Sequence, residues 1–102
     1  MNLTDFPENS EQEKIRELLI FASEIEHKFN AGRARDIQPE LIQKVIQISI
    51  AIRKKTRKNR LGRMLSQIEN LAYATLDNHK TQDYYKNLRF LCAEIQSLKE
   101  LE

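Results

Sequence analysis

Apolar side chains recur along this chain at helical spacing, in four blocks separated by polar links. In the first block Ile15, Leu18, Ala22, Ile25 and Phe29 advance by threes and fours, thickened by Leu19 and Phe21. That is the pattern of a helix with one buried face. Ser10-Glu11-Gln12-Glu13 has the form of a capping box, and Asn30-Ala31-Gly32 offers a left-handed stop. The spacing predicts a helix over residues 11–29. Before it, residues 1–9 read as an extended lead-in, because Pro7 disfavours helix at Phe6.

The second block is broader. Leu41, Val45, Ile48 and Ile52 form one stripe, and Ile42, Ile46 and Ile50 form another beside it. Together they exceed the roughly 100° arc that one core requires. Pro39 suits a first helical turn, so a second helix is expected from residue 39 to about residue 58. The Ile42, Ile46 and Ile50 stripe is a candidate self-association face, and a homodimer or a place in a larger complex is expected from it.

Leu61, Met64, Leu65, Ile68, Leu71, Ala72, Thr75 and Leu76 make a third stripe. It is out of phase with the second, whose rhythm would carry Lys55 and Asn59 onto the apolar seam. Either the chain turns between residues 59 and 62, or one helix of about 58 Å runs over residues 39–77. Asn59 and Gly62 favour the turn. Asp77-Asn78-His79-Lys80 closes this block and Thr81 can cap the next. In the fourth block Tyr84, Leu88, Leu91, Ile95 and Leu98 form the seam, with Tyr85 and Cys92 at its edge and Phe90 and Leu101 off it. No stretch alternates strictly, so the expectation is all-α. Residues 10–102 should form a single small antiparallel bundle of four amphipathic helices with no sheet.

Composition narrows the class. At 102 residues and 40% apolar content the chain can build one core. A single cysteine, Cys92, excludes an intramolecular disulfide framework and a cysteine-cluster zinc site. No apolar run reaches the ~18–20 residues of a membrane span, and the acidic N-terminal stretch lacks a signal-peptide core. A soluble cytoplasmic protein with no membrane association is expected.

Charge changes the picture most. Residues 1–30 carry a net −4, residues 31–63 a net +8 and residues 64–102 a net −2. Seven of the eleven residues from 53 to 63 are basic: Arg53, Lys54, Lys55, Arg57, Lys58, Arg60 and Arg63. Such a cluster can neutralise several phosphates and release their counterions, with Thr56 and Asn59 adding hydrogen bonds. Arg33 and Arg35 would extend it only if the fold brings them round. No aromatic residue lies within the run and no helix-turn-helix pattern surrounds it, so backbone or shape recognition is expected rather than base reading. Tyr73, Tyr84 and Tyr85 lie elsewhere, at spacings that suit a core or an interface.

Catalytic chemistry is not expected. His27 and His79 are isolated, without the clustered ligands a metal needs. Cys92 borders an apolar seam, and Glu24 and Glu26 point to different faces. The chain lacks an activated nucleophile, an acid/base pair and a glycine-rich phosphate loop. The expected function is a non-enzymatic helical module, without cofactor, that contacts RNA or DNA phosphates. The alternative is an adaptor or regulator that docks an acidic protein partner.

Overall fold

The computed structural model describes residues 6–78 and 82–101. Its elements are α1 (Phe6–Asn30), a 3-10 turn (Ala34–Asp36), α2 (Pro39–Lys55), α3 (Asn59–Asp77) and α4 (Asp83–Gln96). A last 3-10 segment follows at Ser97–Leu101. No strand occurs among the described residues. The helices run up and down in a ring: α1 packs on α2 and α4, and α3 packs on the same two from the other side. Leu18 and Ile25 of α1, Ile42 and Val45 of α2, Leu65 and Ile68 of α3, and Leu88 and Leu91 of α4 meet in the core, fully buried. Each such side chain stabilises the fold by about 1.5–3 kcal/mol relative to exposure.

The helix ends show what local chemistry decides. α1 begins at Phe6, so residues 6–9 are helical rather than extended. Pro7 is the second residue of the helix, where the N–H it lacks would have had no intrahelical acceptor. Ser10 therefore lies inside α1 and does not cap it; residues 1–5 of the expected lead-in fall outside the described residues. At the other end the expected glycine stop is present. Gly32 has φ +73°, its N–H donates to the Phe29 carbonyl at 3.1 Å, and the Arg33 N–H donates to Lys28 at 2.7 Å. This is a Schellman closure.

α2 and α3 are separate helices, and the break comes earlier than Asn59 and Gly62 suggested. Residues 56–58 make the turn, while Asn59 and Gly62 belong to α3. Thr56 leaves the helix in an extended conformation (ψ 145°) with its N–H still bonded to the Ile52 carbonyl at 2.8 Å. Its Oγ1 then accepts the Lys58 N–H at 3.2 Å. A threonine hydroxyl thus supplies the local alternative to helix.

The breadth of α2 is used within one chain. Ile42 and Ile46 are buried and Ile50 is half-buried against the core, as are Leu41 and Ile48. The two stripes are shoulders of a single face wedged between α1 and α3. Ile42, Ile46 and Ile50 are therefore not a free self-association face. Ser49 lies between the shoulders, fully buried, and its hydroxyl has no partner among the described residues.

At the end of the bundle opposite the α2–α3 turn, an aromatic cluster holds the α1–α2 link to α4. The Tyr84 hydroxyl donates to the Ala34 carbonyl at 3.4 Å, and Arg35 Nε donates to the Tyr85 hydroxyl at 3.2 Å. The Phe29 and Tyr85 rings meet edge to face, and the Arg89 guanidinium lies 4.7 Å from the Phe29 centroid. Thr81, the expected cap of α4, lies outside the described residues.

Candidate nucleic-acid interface

Because the α2–α3 turn is only three residues long, it folds the basic run back on itself at one end of the bundle. Arg53, Lys54 and Lys55 occupy the last turn of α2, Arg57 and Lys58 the link, and Arg60 and Arg63 the start of α3. Between them lies a shallow, open groove of about 590 Å³. Arg53, Arg57, Lys58 and Arg63 line it together with the uncharged hydrogen-bonding side chains of Thr56, Asn59, Ser66 and Gln67. Among the described residues no carboxylate lines it. Lys54, Lys55 and Arg60 are exposed at the same end, outside the groove.

The seven cations are not equivalent. Arg53 forks onto Glu69 of α3, with Nε donating to Oε2 at 2.6 Å and Nη2 to Oε1 at 3.2 Å. Glu69 is itself buried, at 8% exposure. Its hydrogen bonds, and then its charge, raise the Arg53 pKa above the ordinary value; Tyr73 adds a smaller contribution in the same direction. Lys58 Nζ donates to Glu11 Oε1 at 3.1 Å, but its side chain is 74% exposed, so water screens the pair. Lys54, Lys55, Arg57, Arg60 and Arg63 have no ion-pair partner among the described residues.

Backbone polarity adds to side-chain charge. Lys58, at the N-cap of α3, makes no side-chain capping bond, and the first turn holds no acidic residue. The positive end of the helix dipole therefore faces the same region as the cations.

Arg33 and Arg35 do not join this group. They precede the N-terminus of α2, a helix of 17 residues about 26 Å long, whereas Arg53 lies in its last turn. Arg33 pairs with Asp36 at 2.9 Å and Arg35 bonds to Tyr85.

Two residues gain roles that sequence reasoning missed. Glu69 is the sole acidic residue between Glu40 and Asp77, set on the flank of the α3 stripe. A lone carboxylate there was the available signal. Tyr73, assigned to a core or an interface, is 49% exposed.

Other candidates for chemistry stay apart. Burial, and then the charge of Glu26, push the Cys92 thiol up to about 12, and its Sγ lies 3.7 Å from the Ala22 carbonyl. His27, Glu24 and Glu26 are exposed on α1; His79 lies outside the described residues. Among the described residues no group of three or more His, Cys, Asp or Glu side chains could hold a metal ion, and no helix is long and apolar enough to cross a membrane.

No protein-family model matches the chain, and no curated protein or solved structure matches it. The chemistry of the basic end must be read from its own residues.

Proposed function

We propose that this chain is a non-enzymatic binding module that holds the phosphate backbone of a nucleic acid against the basic end of its α2–α3 hairpin. The observation that carries this reading is the groove itself. Four cations line it beside four uncharged hydrogen-bonding side chains, and among the described residues no carboxylate does. Phosphate recognition uses that mixture: point charges to replace counterions, and hydroxyl and amide donors to fix the oxygens. The cations project from helix ends and a short turn, so they can follow a backbone without demanding one sequence.

The test is a charge reversal that spares the fold. Arg57→Glu, Arg60→Glu and Arg63→Glu together remove three exposed cations that have no ion-pair partner among the described residues. Binding to labelled nucleic acid should be lost while the far-UV circular dichroism spectrum stays that of the parent. Arg53 is left out because its reversal would set a second carboxylate against buried Glu69. If the parent protein fails to bind RNA or DNA at about 50 mM salt, where electrostatic binding is strong, the phosphate reading fails. The basic end then serves an acidic protein partner, a role for which the Lys58–Glu11 contact is a small precedent.

A further inference from the structure

The basic groove is continued along α3 by an aromatic ring. Gly62 and Ser66 line the groove; Tyr73 follows them by eleven and seven residues, close to whole numbers of helical turns. All three therefore share one face of α3. Glu69 stands one turn before Tyr73 and holds Arg53, which also lines the groove. Tyr73 also contributes, by a small charge effect, to the raised Arg53 pKa. Groove and ring thus follow one another on one face of α3, and Ser66 to Tyr73 spans about 10 Å along the helix axis.

The intervening surface suits a polyanion. No acidic residue occurs from Leu41 to Ile68, and Glu69 is engaged by Arg53. Asn70 is exposed between the groove and the ring. Tyr73 also differs from the other tyrosines: Tyr84 is buried, and Tyr85 packs between Phe29 and Tyr84. About half of the Tyr73 side chain faces solvent with no ring or cation packed on it among the described residues.

We propose that the ligand is a single-stranded nucleic acid whose phosphates lie in the groove between Arg57 and Arg63 while one of its bases stacks on Tyr73. This rests on the phosphate reading of the basic end. A duplex keeps its bases stacked inside and offers the ring nothing, whereas an unpaired strand presents base faces to any exposed aromatic side chain. With about 3.4 Å per stacked nucleotide, roughly three nucleotides cover the distance from Ser66 to Tyr73. The site is therefore short and tolerant of sequence.

The experiment compares labelled oligothymidylate, oligouridylate and a duplex of equal phosphate count, titrated with the parent protein and with Tyr73→Ala, Tyr73→Phe and Tyr73→Trp. Tyr73→Ala should lower single-strand affinity about 5- to 150-fold and leave duplex affinity unchanged, the loss expected for one stacked base. Tyr73→Phe keeps the ring and should retain parental binding. The chain contains no tryptophan, so Tyr73→Trp gives a single reporter whose emission should be quenched by a single strand and not by duplex. Ring-dependent binding of either strand supports the proposal. Parental affinity of Tyr73→Ala for single strands, or an equal loss on strands and duplex, overturns the stacking while the phosphate reading stands. A parent protein that binds none of the three overturns both.

Discussion

Glu69 sets how much of the positive charge at the basic end is free. Its carboxylate is buried beside the α3 seam and satisfied by two bonds from Arg53, so that cation is committed to holding α2 against α3. Glu69→Gln keeps the shape and removes the charge. It should lower thermal stability, because a buried acceptor loses a charge-assisted bond. It should also release Arg53 to a ligand, steepening the dependence of log K on log salt for a single strand by about 0.7. An unchanged slope would show that Arg53 never joins the interface. A second residue-scale consequence concerns Cys92. Burial pushes the native thiol up to about 12 from the ordinary 9.0. Between those values the unfolded chain binds fewer protons than the native one, so stability falls as pH rises. The contribution of the neutral thiol is complete below about pH 9 and is lost progressively toward pH 12. Urea midpoints at about pH 8 and pH 10.5 should therefore drop more for the parent than for Cys92→Ala; equal drops would contradict the burial argument.

At the scale of elements, two glycines make opposite predictions. Gly62 lies in α3 and an added Cβ there would meet nothing within 4 Å. Gly62→Ala should therefore stabilise the fold by about 0.5–1 kcal/mol through helix propensity and a less flexible unfolded chain. Gly32 also has open space, but its φ is +73°. Gly32→Ala should cost about 1–2 kcal/mol, since a side chain disfavours the left-handed region. Denaturant midpoints at constant m-value read both changes. A loss at Gly62 would mean that the chain turns there after all. That alternative came from reading glycine and asparagine as the breakers. All four helices were legible because core positions such as Leu18, Ala22 and Ile25 or Leu61, Leu65 and Ile68 keep helical spacing. The turn at residues 56–58 was not, because it contains no glycine or proline and depends on one threonine hydroxyl. The start of α1 was not legible for a related reason: Pro7 disfavours helix at Phe6, yet a first turn accepts a proline.

For the whole molecule, the question is what the broad apolar face of α2 covers. Ile46 is 6% exposed within a single chain. Ile46→Asp should therefore unfold the protein at any concentration, a cost above about 4 kcal/mol for a buried unpaired carboxylate. Retained helicity with a halved sedimentation mass would instead restore the dimer that the sequence suggested. The basic site was legible as composition, since seven cations in eleven residues announce themselves. Which of them are free was not. The Arg53–Glu69 pair spans sixteen positions and exists only in the register of the folded hairpin. Tyr73 shares the groove's side of α3 for the same reason, through the facing of the helix and not through closeness in sequence. The central claim is that the cations without an ion-pair partner among the described residues, Arg57 and Arg63 in the groove and Lys54, Lys55 and Arg60 exposed beside it, engage phosphates, and the most direct measurement is the salt dependence of affinity for a short single strand. At about 0.7 counterions released per phosphate, five engaged cations give a slope near −3.5, and replacing Arg57, Arg60 and Arg63 with alanine should reduce it to about −1.4. A parent slope near zero, or one that the three replacements leave unchanged, would contradict the account.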